Sequence, residues 1–405
     1  MNPPLNPITP ITAATAADPY PYYAGLVARQ ALYFDQTLRM WVASSADVVT
    51  AVLQHPHCRV RPAAEPVPLA LLGSAAAEIF RHLVRMNDGA GHCPFKQAVV
   101  GTLEAFRAQQ VAEHGDQAAQ FLFEQCNLAA EPRRLTEFSF RLPVYVVARW
   151  LGMPTENWPH IAIWIDAFVR GIAPGGSVEQ VAHGTLAAQH LIDLFHLHLV
   201  KQPDQQIDGS SGLALLARQA RLIGCTDHAP VIANAIGFIT QAYEATAGLI
   251  GNTLINLHRQ PAIRSQVLAD PALLAPLIQE VLRLDPPIQN TRRYLVADTQ
   301  IAGQRLKAGD AILLLLAAAN RDPAVNLHPA HCDLRRPDRT NFSFGSGLHA
   351  CPGAAIAAGI AAAGLKKLLA SAVAYEQLID TVHYRPSVNA RIPEWKDSHD
   401  CSHLK

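Results

Sequence analysis

A mainly α-helical fold with a small β region is predicted by three features of the chain. From about Ser45 onward, apolar residues recur at helical spacing through most of the sequence. One stretch, Asp227 to about His258, is apolar on nearly every face and belongs in the middle of a large core. β-like text is confined to short runs: one near Arg39–Ala43, then Arg293–Val296, Thr299–Ile301 and Ala311–Leu315.

In chain order, the segment 1–23 reads as an irregular, Pro-rich arm. Helices are predicted over Asp47–Leu53, Ala75–Arg85, Pro94–His114 and Gln117–Leu128. They continue over Phe138–Leu151, Trp158–Phe168, Val178–Leu199 and Gly212–Gln219. Lys201–Ser211 reads as a polar loop. After the long apolar helix comes a shorter one over Ala272–Leu284, then the β-like runs. Asn320–Phe344 is a long irregular segment, of the kind that is functional or heavily tied down inside a compact domain. Gly353–Leu369 is helical, and the tail is mixed. With no linker, repeat or low-complexity block, residues 1–405 are expected to form a single domain.

The 405 residues are 50% hydrophobic and 16% charged, ample for a large core and unlike a disordered chain. Lys+Arg and Asp+Glu both number 33, a balance that points away from nucleic acid and from membrane surfaces. The N-terminus lacks a basic stretch followed by an apolar one, and no charge-free apolar run is long enough to span a bilayer. The seven cysteines are scattered, odd in number and without CxxC, so a disulfide framework or zinc knuckle is excluded and a reducing cytoplasm is expected. None of the 18 histidines forms HExxH, and the His196/His198 pair does not share a helical face.

The chemistry lies in Phe344-Gly345-Ser346-Gly347-Leu348-His349-Ala350-Cys351-Pro352-Gly353. One cysteine stands at the end of a glycine-punctuated loop and at the start of an Ala-rich helix. The glycines allow a tight turn and close approach to a flat ligand. The helix start near Pro352 aims N–H groups at the sulfur, and a metal there would deprotonate it outright. Alone, Cys351 reads equally well as a small buried hydrophobe.

The whole phrase resembles the haem-binding loop of the cytochrome P450 family, and the resemblance extends from Asp18-Pro19-Tyr20-Pro21 to the C-terminal region. It implies the P450-like fold, with the long central helix lying over haem b (iron protoporphyrin IX), and Cys351 as axial ligand to the iron. An anionic sulfur pushes electron density onto that metal. Phe344, Gly345 and Gly353 fall at the loop's other cofactor-contact positions, and His349 matches the position that reaches a haem propionate. His92 and Lys96 resemble the family's HxxxR, with lysine in place of arginine. Arg293, with Arg292 as fallback, matches the propionate arginine, whose fork suits a carboxylate. Glu280-Val281-Leu282-Arg283 matches ExxR, and Arg336 the arginine that joins it in a buried structural network.

The central helix departs from the family pattern, in which an acid followed by an alcohol relays protons to dioxygen. The text is Glu244-Ala245-Thr246. With Glu244 as the acid, the alcohol position is Ala245; with Thr246 as the alcohol, the acid position is Ala245. The spacing from Glu244 to Glu280 is that of compact bacterial members and favours the first register. Protons would then come through ordered water, Thr246 or a hydroxyl on the substrate.

By the same resemblance the substrate pocket is lined by Arg61–Leu72, the helix around Ala235–Ala242, Pro287–Asn290 and the tail near Val388–Ile392. It is expected to be mostly apolar, with Gln241, Ala242, Tyr243, Ile288, Gln289, Asn290 and Asn389 as candidate contacts. The implied activity is that of a haem-thiolate monooxygenase hydroxylating or epoxidising a mostly apolar small molecule, such as a secondary metabolite. Oxidative coupling, nitration or rearrangement is the alternative reaction, and a non-enzymatic haem binder or sensor the alternative class. The implied partners are a ferredoxin and its reductase, serving a monomeric, cytoplasmic protein. Arg335, Arg336, Arg339, Lys366 and Lys367 are candidates for a basic docking patch.

Overall fold

The computed structural model describes residues 8–89, 93–201, 211–371 and 382–395, together with 373, 375 and 379. Its centre is the helix His228–Arg259, capped at its start by Asp227, whose carboxylate accepts the Ala229 N–H at 2.9 Å. This central helix packs against Leu135–Trp150, Ala75–His82 and Ala354–Leu369, and most of its residues from Val231 to Leu257 are buried. The helices Trp158–Ile172 and Val178–Lys201 pack on one another, and both also contact the central helix.

The β region has one five-stranded sheet. Its order is Leu32–Asp35, Met40–Ala43, Ala311–Leu314, Thr291–Leu295 and Cys58–Arg59. Only the Met40–Ala43 and Ala311–Leu314 pair is parallel. Two-stranded ribbons join Thr299–Ile301 to Gln304–Leu306, and Val382–Tyr384 to Pro393–Trp395.

Several boundaries differ from the sequence reading. The arm is not irregular throughout: Thr12–Thr15 forms a 3-10 turn, and a helix runs from Tyr20 to Arg29 with Pro21 in its first turn. The predicted helix 94–114 is two helices, Cys93–Glu104 and Ala108–Gln125. The chain turns out at Arg107 (ψ 150°), whose N–H is accepted by Gln110 at 3.2 Å. The break expected at Gly115 does not occur. That glycine serves packing instead, since a Cβ there would lie 2.6 Å from the Cβ of Ala363. The helix predicted to Arg85 ends at His82, and Val84–Met86 forms a separate 3-10 turn. The predicted loop 201–211 falls mostly outside the described residues.

A buried network ties the arm to the tail and to the end of helix Leu274–Leu284. Arg391 bonds Asp285 at 2.8 Å and donates to the carbonyls of Ala16 (2.6 Å) and Ala17 (3.1 Å). Tyr20 also donates to Asp285. The Arg321 guanidinium sits 3.4 Å from the centroid of the Tyr20 ring.

Candidate haem-thiolate site

The cysteine loop is built by its backbone. Gly345 and Gly347 adopt φ of +66° and +69°, a region closed to most side-chain-bearing residues. The Cys351 N–H closes the loop on the Phe344 carbonyl at 2.9 Å, and Gly345 bonds back to Phe342 at 2.8 Å. Helix Ala354–Leu369 then starts directly behind the sulfur. Cys351 is surrounded by protein, yet its side chain is accessible, because it faces a cavity of about 1530 Å³. Burial raises the thiol pKa, against the opposing pull of the Gly353 N–H and the charges of Lys96 and Arg85. The helix start therefore does not suffice to ionise it; coordination by a metal would.

Across the cavity stands the central helix. Gln241, Ala242, Glu244 and Ala245 line it, as do Ile288, Asn290 and Asn389. Glu244 makes no hydrogen bond or ion pair among the described residues, and burial raises its pKa despite the nearby Arg385. Three expected contacts are corrected. Thr246 is fully buried, does not line the cavity and leaves its Oγ1 without a partner. Two positions beyond Glu244, it points to the far side of the helix. Gln289 is also fully buried and off the cavity, with Nε2 donating to the Pro286 carbonyl at 2.7 Å. Its backbone instead joins 286–290 to the tail, through its N–H to the Asn389 carbonyl at 2.8 Å. Asn290 reinforces that seam by donating to Val388 at 2.9 Å. Tyr243 turns away too, donating to Asp166 at 2.9 Å.

Several basic side chains border the same cavity. Strand Thr291–Leu295 alternates so that Arg293 is buried, 6% exposed, while Arg292 is half-buried. Arg293 Nη1 donates to the Arg292 carbonyl at 2.8 Å, and no carboxylate lies within ion-pair distance among the described residues. Burial lowers its pKa, against the more distant pull of Asp88 and Cys58. His349 Nε2 lies 2.9 Å from Asp88 Oδ1. Lys96 donates to the Leu348 carbonyl beside it. His92 lies outside the described residues.

Beneath the loop, Glu280 gathers more charge than was expected. Arg283 holds it through two bonds, of 2.7 and 3.1 Å, and Arg336 through one of 3.1 Å. Arg339 adds a third arginine at 3.0 Å and the Asp333 N–H a further donor at 3.1 Å. Burial pushes the Glu280 carboxyl up, but Arg283, the Asp333 N–H and Arg339 bring it to about 2. Arg336 and Arg339 are thus turned inward, and Lys366 is paired with Asp116 at 2.8 Å. Of the predicted docking patch, Arg335 and Lys366 remain exposed.

Two features were not found from sequence. The first is a charged cluster in which Asp166 bonds Arg170 at 2.8 Å and Arg385 at 2.9 Å, with Arg170 and Arg385 on the cavity wall. The second is Arg85, which also lines the cavity. Neither carries a motif, because the partners come from distant parts of the chain.

These residues fit a haem. Among the described cysteines Cys351 is the most accessible, and no group of three His, Cys, Asp or Glu among the described residues could hold a bare metal ion. A single thiolate suits an iron whose other ligands come from a macrocycle. The buried Arg293 supplies a cation where a carboxylate-bearing rim would lie. Fold and site together define a haem-thiolate protein.

Comparison with known proteins agrees. The family model for cytochrome P450 matches residues 233–371. Two cytochrome P450 sequences from strains of Xylella fastidiosa are 27% and 30% identical, over 68% and 54% of this chain and 68% and 55% of their own lengths. The 20-oxo-5-O-mycaminosyltylactone 23-monooxygenase of Streptomyces fradiae is 27% identical over 78% of this chain and 72% of its own. The crystal structure of CalO2 superposes with a TM-score of 0.82 at 24% identity, covering 96% of this chain and 97% of that one. The chain belongs to the cytochrome P450 family, the haem b-dependent monooxygenases with a cysteine thiolate ligand. No helix among the described residues is long and apolar enough to cross a membrane.

Proposed function

We propose that this chain oxidises a small molecule with a largely apolar body, held between the central helix and the cysteine loop, and that its setting is secondary metabolism. The observation that carries this reading is that Cys351 and the Glu244–Ala245 pair line one and the same cavity. The relative from Streptomyces fradiae named as a 23-monooxygenase supports a tailoring role. When bound, the haem would supply activation of dioxygen.

The protein's own residues do the rest. Cys351 is the metal ligand. Arg293, Lys96 and His349, with His92, hold the propionates; Phe344, Gly345 and Gly353 shape the loop. Burial raises the Glu244 pKa, which favours its proton-bearing form. Ala245 offers no hydroxyl beside it, so the last donor is ordered water or a hydroxyl of the substrate. The same gap favours a second reading, oxidative coupling, nitration or rearrangement, which makes less use of a conventional relay. Electrons come from a ferredoxin and its reductase, and the working form is a monomer in the cytoplasm.

The test is a reduced, carbon-monoxide-bound spectrum of the purified protein, with a strongly red-shifted Soret band expected and lost in Cys351→Ser. Turnover under isotopically labelled dioxygen then separates the two reactions: label in the product supports oxygen insertion, and its absence supports coupling.

A further inference from the structure

Arg85 sits on the 3-10 turn Val84–Met86 and lines the cavity. Protein surrounds it on all sides, and the side chain is accessible only because the cavity lies in front of it. Among the described residues it has no hydrogen-bond or ion-pair partner. The charges acting on it are those of Glu244 on the central helix and of Cys351. A third, Arg61, repels it and is itself held elsewhere, donating to the Phe80 carbonyl at 2.9 Å.

Apart from the half-buried Arg292, the other cavity cations have partners. Arg385 and Arg170 share Asp166, and Arg385 also lies 3.9 Å from Glu394. Arg293 and His349 belong with Asp88, on the rim where the cofactor's carboxylates would lie. Arg85 is not in that group. It is a guanidinium facing the cavity with an unused planar fork, near a carboxyl, Glu244, whose pKa burial raises.

Nor is its position accidental. The turn that carries it is fixed from three sides. Asn234 accepts the Val84 N–H at 2.9 Å and donates to the His82 carbonyl at 2.8 Å. Asn87 donates to the carbonyls of Arg81 and Leu83 at 2.9 and 2.8 Å. Arg61 holds Phe80 through the bond above. Holding an unpaired cation in a fixed place inside the protein is costly unless an anion arrives there.

We infer that Arg85 is a specificity-determining residue that binds the carboxylate of the substrate, so that this enzyme acts on a carboxylic acid with an apolar body. This rests on the haem-thiolate reading and names the substrate class of the same site. The fork receives both carboxylate oxygens, and the apolar body extends along the central helix past Ala242 and Ala245.

The test uses the haem-loaded full chain and a panel of straight-chain acids, octanoic to hexadecanoic, each beside its methyl ester. Binding is read from the haem spin-state change and, for silent ligands, from displacement of imidazole. The better acids should bind roughly tenfold to a hundredfold more tightly than their esters, the range of a charge-assisted pair. Arg85→Leu should abolish that preference while leaving ester binding, haem content and the carbon-monoxide spectrum unchanged; Arg85→Lys should keep part of it. The inference is overturned by a parent protein that binds no acid, or binds esters equally well. Undiminished preference in Arg85→Leu also overturns it, as does loss of haem from that variant with retention in Arg85→Lys, which would assign Arg85 to the cofactor. Absence of the red-shifted band in the parent is a different failure, that of the haem-thiolate reading.

Discussion

The side chain of Asn234 accepts a hydrogen bond from the backbone of Val84 at 2.9 Å, linking the central helix to a turn far away in sequence. Asn234 is 3% exposed, and its amide also bonds the His82 carbonyl. Asn234→Ala leaves a buried N–H and a half-buried carbonyl without this partner. Each stranded group costs about 1–3 kcal/mol. The expected result is a lowered melting temperature of the haem-loaded protein together with weaker ligand binding, because the cavity wall at Val84–Met86 loosens. An unchanged melting curve would show that the turn is held by its other bonds alone.

Glu280 is the anchor of the structural network beneath the loop. Removing its charge in Glu280→Leu leaves Arg283, Arg336 and Arg339 without their common anion, which costs about 3–5 kcal/mol. The sign of its pH dependence follows from the lowered pKa. The unfolded carboxyl titrates at about 4.3, and the folded one is brought down to about 2. The stabilisation is therefore complete above the unfolded value and disappears as pH falls through the folded one. Acid unfolding monitored by circular dichroism should show this loss in the parent protein, and the milder Glu280→Gln should lack that component.

Much of this architecture was legible in the sequence, and the exceptions share one cause. The central helix, the cysteine loop and the Glu280–Arg283 pair are local in sequence. Each is written as a periodicity, a glycine spacing or an i,i+3 pair. Arg339 looked like a surface cation because nothing local shows that the segment 332–340 folds back onto Glu280. Asp285 and Arg391 have no visible relation until the tail is laid against 286–290. Thr246 and Gln289 were misplaced for a different reason. Being near a functional position in sequence does not fix the direction of a side chain, and both point into the core. Lys96 and Arg293 could be assigned only by resemblance, since spacing alone does not show that they reach one cavity.

Glu244 carries a raised pKa, caused first by burial and also by Asp166, and opposed by Arg385, Arg170 and Arg85. A carboxyl raised in this way favours the folded state below its unfolded pKa, and that contribution is lost as pH rises through the folded value. Glu244→Gln should therefore remove a pH-dependent loss of stability on the acid-to-neutral side. If Glu244 also passes protons, the same variant should lower turnover on the order of a hundredfold and flatten the limb that falls with rising pH. Thermal melts and turnover measured across one pH series check both. A variant that matches its parent in rate would remove Glu244 from the relay.

Ala245 lines the cavity beside Glu244 and leaves no hydroxyl there. Ala245→Thr supplies one without altering charge. For a substrate with no hydroxyl of its own, the variant should raise the ratio of product formed to reducing equivalents consumed several-fold. For a substrate that brings its own hydroxyl, the ratio should stay flat or fall, because the added group competes for the same water. The pattern across both kinds of substrate distinguishes a relay completed by the ligand from one completed by solvent.

Arg293 offers a prediction whose sign differs between the two states of the protein. Without cofactor it is a buried cation with no carboxylate at ion-pair distance among the described residues, and burial lowers its pKa accordingly. Replacing it with the uncharged Met, whose flexible stem fills similar space, relieves that desolvation, so the haem-free protein should become more stable. With cofactor, the same change removes a forked, charge-assisted bond worth about 1.5–3 kcal/mol, a loss of roughly tenfold or more in haem affinity. Thermal melts of the haem-free protein and haem transfer to an acceptor such as apomyoglobin give the two signs independently. A variant that destabilises the haem-free protein while leaving haem transfer unchanged would mark Arg293 as a structural residue of its strand and leave the propionates to Lys96 and His349.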